Sequence, residues 1–466
     1  MIPPAFQTFD PLLEASAACE VAGAAALSAD GMRCLQEARL RRLLRTACRD
    51  SAWYRRHLGG REPDRELRLQ DLPVARKADL MAHFDQWVTD PVLSLAHLRR
   101  FTADRTRIGQ AYGGRYVVWS SSGSSGEPGI FVQDRAAMAV YDALQALRQP
   151  HPQPHRRWLD PLYATERIAF VGATGEHAAS TVWLERMRRL NPFVAASVQS
   201  LSFLQPRADL MDALQRLRPT VLSTYPGVAV QLAEEAASGR LHLPLKEVRT
   251  GGENLTPAAR RFVAEAFGCS VINSYGASEF FCIAFECRLG CLHLNSDWVI
   301  LEPVDDRGQP VPRGQAGHTT LLTNLANHVQ PLIRYDLGDR VGIQAAACGC
   351  GSVLPVVTVD GRCDDSLRLG GSRNGGVSID PLALTSLLED EAGLFDFQLV
   401  QRGPLELELR MPPSSRAGGS SQRAAGMLAA FLARQGAGKV RIVCTGVPPL
   451  PAGANCKTRR VVALPR

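Results

Sequence analysis

The spacing of hydrophobic positions changes character along the chain. In residues 34–110, Leu35, Leu40, Leu43 and Leu44 recur at helical spacing among Arg residues. Leu72-Pro73 opens a further segment through Lys77 and Leu80, so a mainly helical N-terminal part of about residues 1–110 is predicted. Tyr116-Val117-Val118-Trp119 then reads as a strand, residues 120–129 as a loop, and Ile130-Phe131-Val132 as a second strand. From residue 168 onward, short apolar runs at 168–171, 220–223, 247–249 and 271–275 alternate with amphipathic stretches. That alternation predicts a layered α/β unit with a largely parallel sheet. Thr256 before Pro257 is expected to cap a helix that turns Phe262, Val263 and Phe267 to the core. Strands and turns are expected from Trp298 to about Val359, and the Ser/Gly/Arg-rich residues 412–426 read as a mobile loop.

Composition narrows the classes. At 466 residues, 45% hydrophobic and 21% charged, the chain is globular and long enough for two or more packed units, which excludes a disordered or fibrous protein. A net charge of +7 over this length is too dilute to point to nucleic acid. Residues 1–30 are Ala-rich but carry Asp10, Glu14 and Glu20, without the basic leader and apolar block of a signal peptide. No run of ~18 apolar residues would span a bilayer, so a soluble cytoplasmic protein with no membrane partner is expected. In that setting the 12 Cys read as reduced thiols or metal ligands rather than disulfides. Lys is scarce: Lys77, Lys246, Lys439 and Lys457 stand against 49 Arg.

Candidate chemistry is carried by loops. Ser120-Ser121-Ser122-Gly123-Ser124-Ser125-Gly126-Glu127-Pro128-Gly129 has glycines that let backbone N–H groups approach an anion and hydroxyls that donate to phosphate oxygens. It is not a Walker A loop, because no Gly-Lys-Ser/Thr ends it and a strand follows. Tyr275-Gly276-Ala277-Ser278-Glu279 offers an aromatic face, a close-approach glycine and a carboxylate suited to Mg²⁺. Arg334-Tyr335-Asp336-Leu337-Gly338-Asp339 ends in a carboxylate able to accept from both hydroxyls of a ribose, and Gly361-Arg362-Cys363-Asp364-Asp365 precedes a shift in composition. Taken singly, each reads as a turn. Cys287, His293, Cys348 and Cys350 form a Cys₃His set of the closed kind that holds structural Zn²⁺, within a subsite at about 282–350. Cys291 and Cys282 are spare candidates, and ordinary buried cysteines are the alternative reading.

In this order the motifs resemble the adenylate-forming superfamily of acyl-CoA synthetases, peptide-synthetase adenylation domains and luciferases, most closely its phenylacetate-coenzyme A ligase-like branch. The resemblance runs from about Leu35 to the C-terminus and rests on Leu72-Pro73-Val74 with Lys77 and on residues 121–128, 250–253, 275–279, 334–339 and 361–365. It implies an α/β fold with a large N-terminal ATP- and acid-binding domain, residues 1–363, and a small mobile α+β C-terminal domain, residues 364–466. The implied ATP- and AMP-binding residues are Ser121, Ser122, Gly123, Ser124, Ser125 and Gly126 for the phosphates, Gly252, Glu253 and Ser274–Ser278 around the adenine, and Asp339 and Arg362 at the ribose. Within that set Tyr275 would stack on the base beside Gly276 and Ala277, Glu279 would ligate Mg²⁺, and Asp364 would be the hinge between two half-reactions. Zinc held by Cys287, His293, Cys348 and Cys350 occurs in some members of the branch.

Joining a carboxylate to the α-phosphate brings negative charges together and calls for a cation. Lys457 lies where the family carries its catalytic Lys; Lys439 is the runner-up. The acid pocket is expected around Tyr225, Gly251, Gly276 and Ala277, where small residues leave room for a flat ring, with His177 near the carboxylate. Two departures stand out: Glu127, where relatives often carry Lys, and a Gly-rich residues 366–380. The leading expectation is an ATP-dependent ligase joining an aryl or arylacetic acid to CoA. A stand-alone adenylating enzyme serving a carrier protein or an amine is the alternative, a homodimer is left open, and a zinc module binding nucleic acid ranks last for lack of finger spacing.

Overall fold

The N-terminal part is helical because each segment gathers its apolar residues on one side. Ser28 accepts from the Gly31 N–H and starts the helix Ala29–Asp50, which buries Met32, Leu43, Leu44 and Ala47. Arg39 of this helix is buried too, donating to the Asp297 carbonyl at 2.7 Å and to Glu20 at 2.6 Å beneath the Trp298 ring. The computed structural model describes the chain apart from residues 1–7, 59–68, 122–128, 150–165, 173, 175–176, 204, 363–366, 371–376, 380, 395, 413–419, 438, 450–459 and 465–466.

Strands β1 (Val117–Ser120) and β2 (Ile130–Gln133) pair antiparallel and bracket the Ser/Gly loop. Beyond them β3 (Ile168–Gly172), β4 (Val198–Ser202), β5 (Val221–Thr224), β6 (Glu247–Gly251) and β7 (Ser270–Tyr275) run parallel in the spatial order β4-β3-β5-β6-β7. Among the described residues this sheet has nine strands, because β8 (Ala284–Glu286), β9 (Leu292–Leu294), β14 (Val356–Arg362) and β13 (Asp339–Ile343) extend it antiparallel. The expected largely parallel sheet is therefore parallel only from β4 to β7. The physical reason is connection length: β3 to β7 are separated by helices, whereas β7–β8–β9 follow one another through short turns that reverse the chain. A second sheet holds β10 (Val299–Val304), β11 (Thr319–Asn324) and β12 (Tyr335–Asp336).

The helix between β6 and β7, Pro257–Phe267, forms as its sequence predicts. Thr256 accepts from the Ala259 N–H, and Gly268 ends the helix at φ +62°, in the left-handed region that favours glycine.

One apolar cluster joins the N-terminal helices to β1, β2 and the antiparallel strands through Leu43, Trp87, Trp119, Tyr141 and Val341. A second lies between the parallel strands and their helices, with Ala169, Leu214, Leu222, Ala233 and Val263. A third, from Leu367 to Val461, shares no buried residue with the other two. It packs under β17 (Gln398–Gly403), β18 (Glu406–Arg410), β19 (Arg441–Thr445) and β20 (Val461–Val462), in the order β19-β18-β17-β20; β15 (Leu367–Leu369) and β16 (Val377–Ile379) form a separate hairpin. The loop expected at 412–426 needs correction, since the helix Ser420–Arg434 begins inside it. Ala424, Leu428 and Leu432 form its buried stripe, a helical period hidden by the Ser/Gly composition. No helix among the described residues is long and apolar enough to cross a membrane.

Candidate active site

The carboxyl ends of β3, β5, β6 and β7 lie along one edge of the sheet, with Val171 opposite Thr224, Thr224 opposite Thr250 and Gly251 opposite Ser274. Strand order reverses at β3, whose neighbours are β4 and β5, and such a switch point opens a crevice at the strand ends. Tyr225 leaves β5 into the helix Pro226–Ala237, its ring edge-on to Phe203 at 5.8 Å. That helix has no side-chain cap at Tyr225. Glu253, arriving from β6, supplies one by accepting from the Gly227 N–H at 2.9 Å, a carboxylate at the positive end of a helix.

At the end of β7, the Tyr275 hydroxyl donates to Asp339 Oδ2 at 2.6 Å, which orients the Asp339 carboxylate at the start of β13. Asp339 is buried and stands opposite Arg362 across the β13–β14 pair. The turn after Tyr275 is held from two further sides: Trp119 donates to the Ser278 carbonyl at 2.8 Å, and Asn324 donates to the Glu279 carbonyl at 3.0 Å. The Tyr335 hydroxyl donates to Glu279 Oε1 at 2.9 Å, fixing the carboxylate proposed for a hard cation. At the base of the Ser/Gly loop, the Ser121 N–H donates to the Gly129 carbonyl at 2.8 Å and the Gly129 N–H to Ser121 Oγ at 3.1 Å. The structure thus brings together Tyr275, Ser278, Glu279, Asp339 and the backbone of Arg362, with Trp119, two residues before Ser121, on the Ser278 carbonyl. Ser122, Gly123, Ser124, Ser125, Gly126, Asp364 and Lys457 lie outside the described residues.

Two glycines expected to leave room for a ring do something else. A Cβ on Gly276 would overlap the Phe281 carbonyl oxygen, and one on Gly251 would come within 2.8 Å of Ser274 Oγ. Their space is filled by the protein, so close packing explains both. Gly276→Ala is accordingly expected to cost about 1–3 kcal/mol by overpacking against backbone, read as a fall in Tm, and to displace the Glu279 turn. Ala277, Trp183 and Phe281 are half-buried against the main core, and the Trp183 and Phe281 ring centroids are 5.8 Å apart.

His177, expected near the substrate carboxylate, is buried. It is 2% exposed and packs against Phe101 at 5.7 Å. Burial lowers its pKa and keeps the ring neutral. Its contribution to this region is the backbone carbonyl, which accepts from the Ser120 N–H at 2.7 Å. Sequence reasoning assigned no role to Trp119, Tyr335 or Trp183, whose contacts are all long-range. Lys77 had a signal in the scarcity of Lys: its Cε lies 3.0 Å from where a Gly129 Cβ would be, at the root of the Ser/Gly loop.

The ligand atoms of Cys287, His293, Cys348 and Cys350 all lie within 4.8 Å of one another. Cys287 Sγ is 3.8 Å from Cys348 Sγ, and Cys350 Sγ is 3.4 Å from His293 Nε2. A tetrahedral site with Zn–S bonds of ~2.3 Å has S···S edges of about 3.8 Å, so the four residues fit that ion. His293 Nδ1 is 2.8 Å from the Leu354 carbonyl, which favours the tautomer whose Nε2 lone pair faces the thiols. Among the spare candidates, Cys282 is buried in the main core with its thiol on the Tyr141 carbonyl, which removes it from the set. Cys291 stays adjacent, its carbonyl accepting from the Cys287 N–H at 2.9 Å.

The family profile described as AMP-binding enzyme matches residues 190–321, the stretch that contains Tyr225, Glu253, Tyr275 and Glu279. Among solved structures, the chain is similar to 2-hydroxyisobutyryl-CoA ligase in the postadenylation state, at 20% identity and TM-score 0.69, over 94% of this chain and 90% of that one. The same ligase with 2-HIB-AMP and CoA in the thioesterification state gives 21% identity and TM-score 0.56, over 94% and 91%. The anthranilate CoA ligase AuaEII with anthranoyl-AMP gives 16% identity and TM-score 0.52, over 73% of this chain and 64% of that one. These likenesses show the fold, a mixed α/β unit followed by a C-terminal unit. No curated protein sequence matches the chain.

Proposed function

We propose that this enzyme uses ATP and Mg²⁺ to convert an aryl or arylacetic acid to its acyl-AMP and then transfers the acyl group to CoA, as phenylacetate-coenzyme A ligase-like enzymes do. The observation that carries this reading is the convergence of Tyr275, Asp339 and Glu279 at the carboxyl ends of the parallel strands, beside the root of the Ser/Gly loop. In this reading Asp339, oriented by Tyr275, accepts from the ribose hydroxyls with Arg362 alongside. Gly252 and Glu253 border the adenine, residues 121–126 hold the phosphates, and Glu279, steadied by Tyr335, ligates Mg²⁺. Lys457 bridges the acid carboxylate and the α-phosphate as charge builds there.

The large unit, residues 1–363, binds ATP and acid. The small unit, residues 364–466, turns about Asp364 between the half-reactions. The half-buried pair Trp183 and Phe281, with Tyr225, supplies aromatic surface for a flat ring. The AuaEII ligase, whose structure holds anthranoyl-AMP, is an aryl-acid precedent in the same fold. Zn²⁺ at the Cys₃His set is structural, because four protein ligands close the shell and leave no position for substrate. The enzyme works in the cytoplasm, where both ATP and CoA are at hand.

The test is mass spectrometry of reactions containing ATP, Mg²⁺, CoA and a panel of aryl and arylacetic acids. A CoA thioester of one acid is expected. Acyl-AMP accumulating without thioester would transfer the second step to a carrier protein or an amine.

A further inference from the structure

The hairpin from β8 to β9 brings a fourth thiol to the Cys₃His set. Glu286 pairs with Leu292 across it, and the pairing runs one residue further, the Cys287 N–H donating to the Cys291 carbonyl at 2.9 Å. Gly290, at φ +75°, donates to the Cys287 carbonyl at 2.9 Å and closes the turn Arg288-Leu289-Gly290 between them. Cys287 and Cys291 therefore stand opposite one another, and facing residues of an antiparallel pair send their side chains to the same side of the ribbon. His293 lies two residues beyond Cys291 and shares that side. The Cys291 thiol accordingly sits against the set, where it interacts with the thiols of Cys287 and Cys348. Its own sulfur is not among the four ligand atoms gathered within 4.8 Å. Facing Cβ atoms stand ~4.5–5.5 Å apart and a disulfide spans about 3.5–4.5 Å, so closing the pair needs a shift of about 1 Å. Cys291 is half-buried and residues 288–290 beside it are exposed, so a small solute reaches it.

We propose that Cys291 is an oxidative modification site, at which hydrogen peroxide joins it to Cys287 in a disulfide and so withdraws one ligand from the Cys₃His set. The Cys287 thiolate attacks the peroxide, the O–O bond breaks, and one water leaves as a solvent proton is taken up; Cys287 is then a sulfenic acid. The Cys291 sulfur attacks that sulfur, the S–S bond forms, the S–O bond breaks, and a second water leaves with the Cys291 proton. Two electrons pass from the two sulfurs to the peroxide. A zinc ion would then keep only Cys348, Cys350 and His293, an opened shell from which it is more easily lost. β8 pairs with β7, Ala284 standing opposite Tyr275, so the bridged hairpin borders the candidate active site. The zinc consequence rests on the metal proposed above, whereas the bridge stands apart from it.

The test uses the full chain, freed of reductant and titrated with hydrogen peroxide. Peptide mapping by mass spectrometry, after alkylation of the remaining thiols, reads the bridge, and a chromogenic zinc chelator reads metal release. A linked Cys287–Cys291 pair that a thiol reductant reverses is expected, with zinc released in step. Cys291→Ser is expected to keep its zinc and its Tm while reduced. Under peroxide it is expected to release zinc ~10-fold or more slowly, because Cys287 lacks its facing thiol. Zinc missing from reduced Cys291→Ser would make Cys291 a ligand and overturn the proposal. So would Cys291 left unbridged by peroxide, a bridge to Cys348 or Cys350 instead, or equal zinc release from both proteins. If the unaltered protein carries no zinc, the metal reading fails by itself, and the peptide map alone then decides the bridge.

Discussion

Replacing Lys457 with Ala is expected to slow acid-dependent pyrophosphate exchange by ~10²-fold or more, the scale of losing one transition-state stabiliser, with Tm unchanged. The expectation comes from charge: a carboxylate must approach a triphosphate, and a flexible ammonium can serve both partners as a point charge where a planar guanidinium is committed to one plane. Lys457→Arg is therefore expected to rescue little. The strand order of the C-terminal unit separates this residue from its rival. The strand that follows Lys457 in sequence, β20, lies at one edge of the four-stranded sheet, whereas Lys439 is exposed and precedes β19 at the opposite edge. Three strand spacings of ~4.8 Å put about 14 Å between those edges. Lys439→Ala is expected to leave exchange intact, and the reverse pattern in the two variants would reassign the cation.

Stripping metal is expected to have the next largest effect. Elemental analysis of the purified protein is expected to find one zinc per chain, and Cys350→Ser to lose it. The ligands come from distant stretches that β9 and β14 bring side by side, with Val356 opposite His293. Without the ion, three thiols and an imidazole are left crowded within 4.8 Å, and the turn carrying Cys348 and Cys350 loses its anchor. A loss of about 3 kcal/mol would lower Tm by roughly 6–12 °C at ~2–4 °C per kcal/mol. Substoichiometric metal and a Tm indifferent to chelator would leave the set as reduced cysteines.

The parts of this protein legible in its sequence are those governed by local rules. The βα alternation from 168 to 275 and the Thr256-Pro257 helix start follow from residue spacing and capping, and both are present in the fold. The helix Ser420–Arg434 was obscured because its stripe is only Ala424, Leu428 and Leu432 within a Ser/Gly-rich stretch. The antiparallel half of the large sheet escaped notice because strand direction depends on partners far along the chain, such as β14 against β9. The same limit applies at the site. Tyr275 and Asp339 could each be picked out, but Tyr275 donating to Asp339 joins residues 64 positions apart, and Tyr335 on Glu279 joins residues 56 apart. At Gly276 the direction a Cβ would take is occupied by the Phe281 carbonyl, a contact the sequence does not announce. His177 was misplaced because a histidine in a loop sequence gives no sign that Phe101 will cover it.

The most direct test of the account is exchange of radiolabelled pyrophosphate into ATP, measured with Mg²⁺ across the aryl and arylacetic acids. Exchange that requires both an acid and Mg²⁺, and that falls when Asp339 is replaced by Ala, is the predicted result. A protein that binds ATP yet exchanges no pyrophosphate with any acid would contradict it.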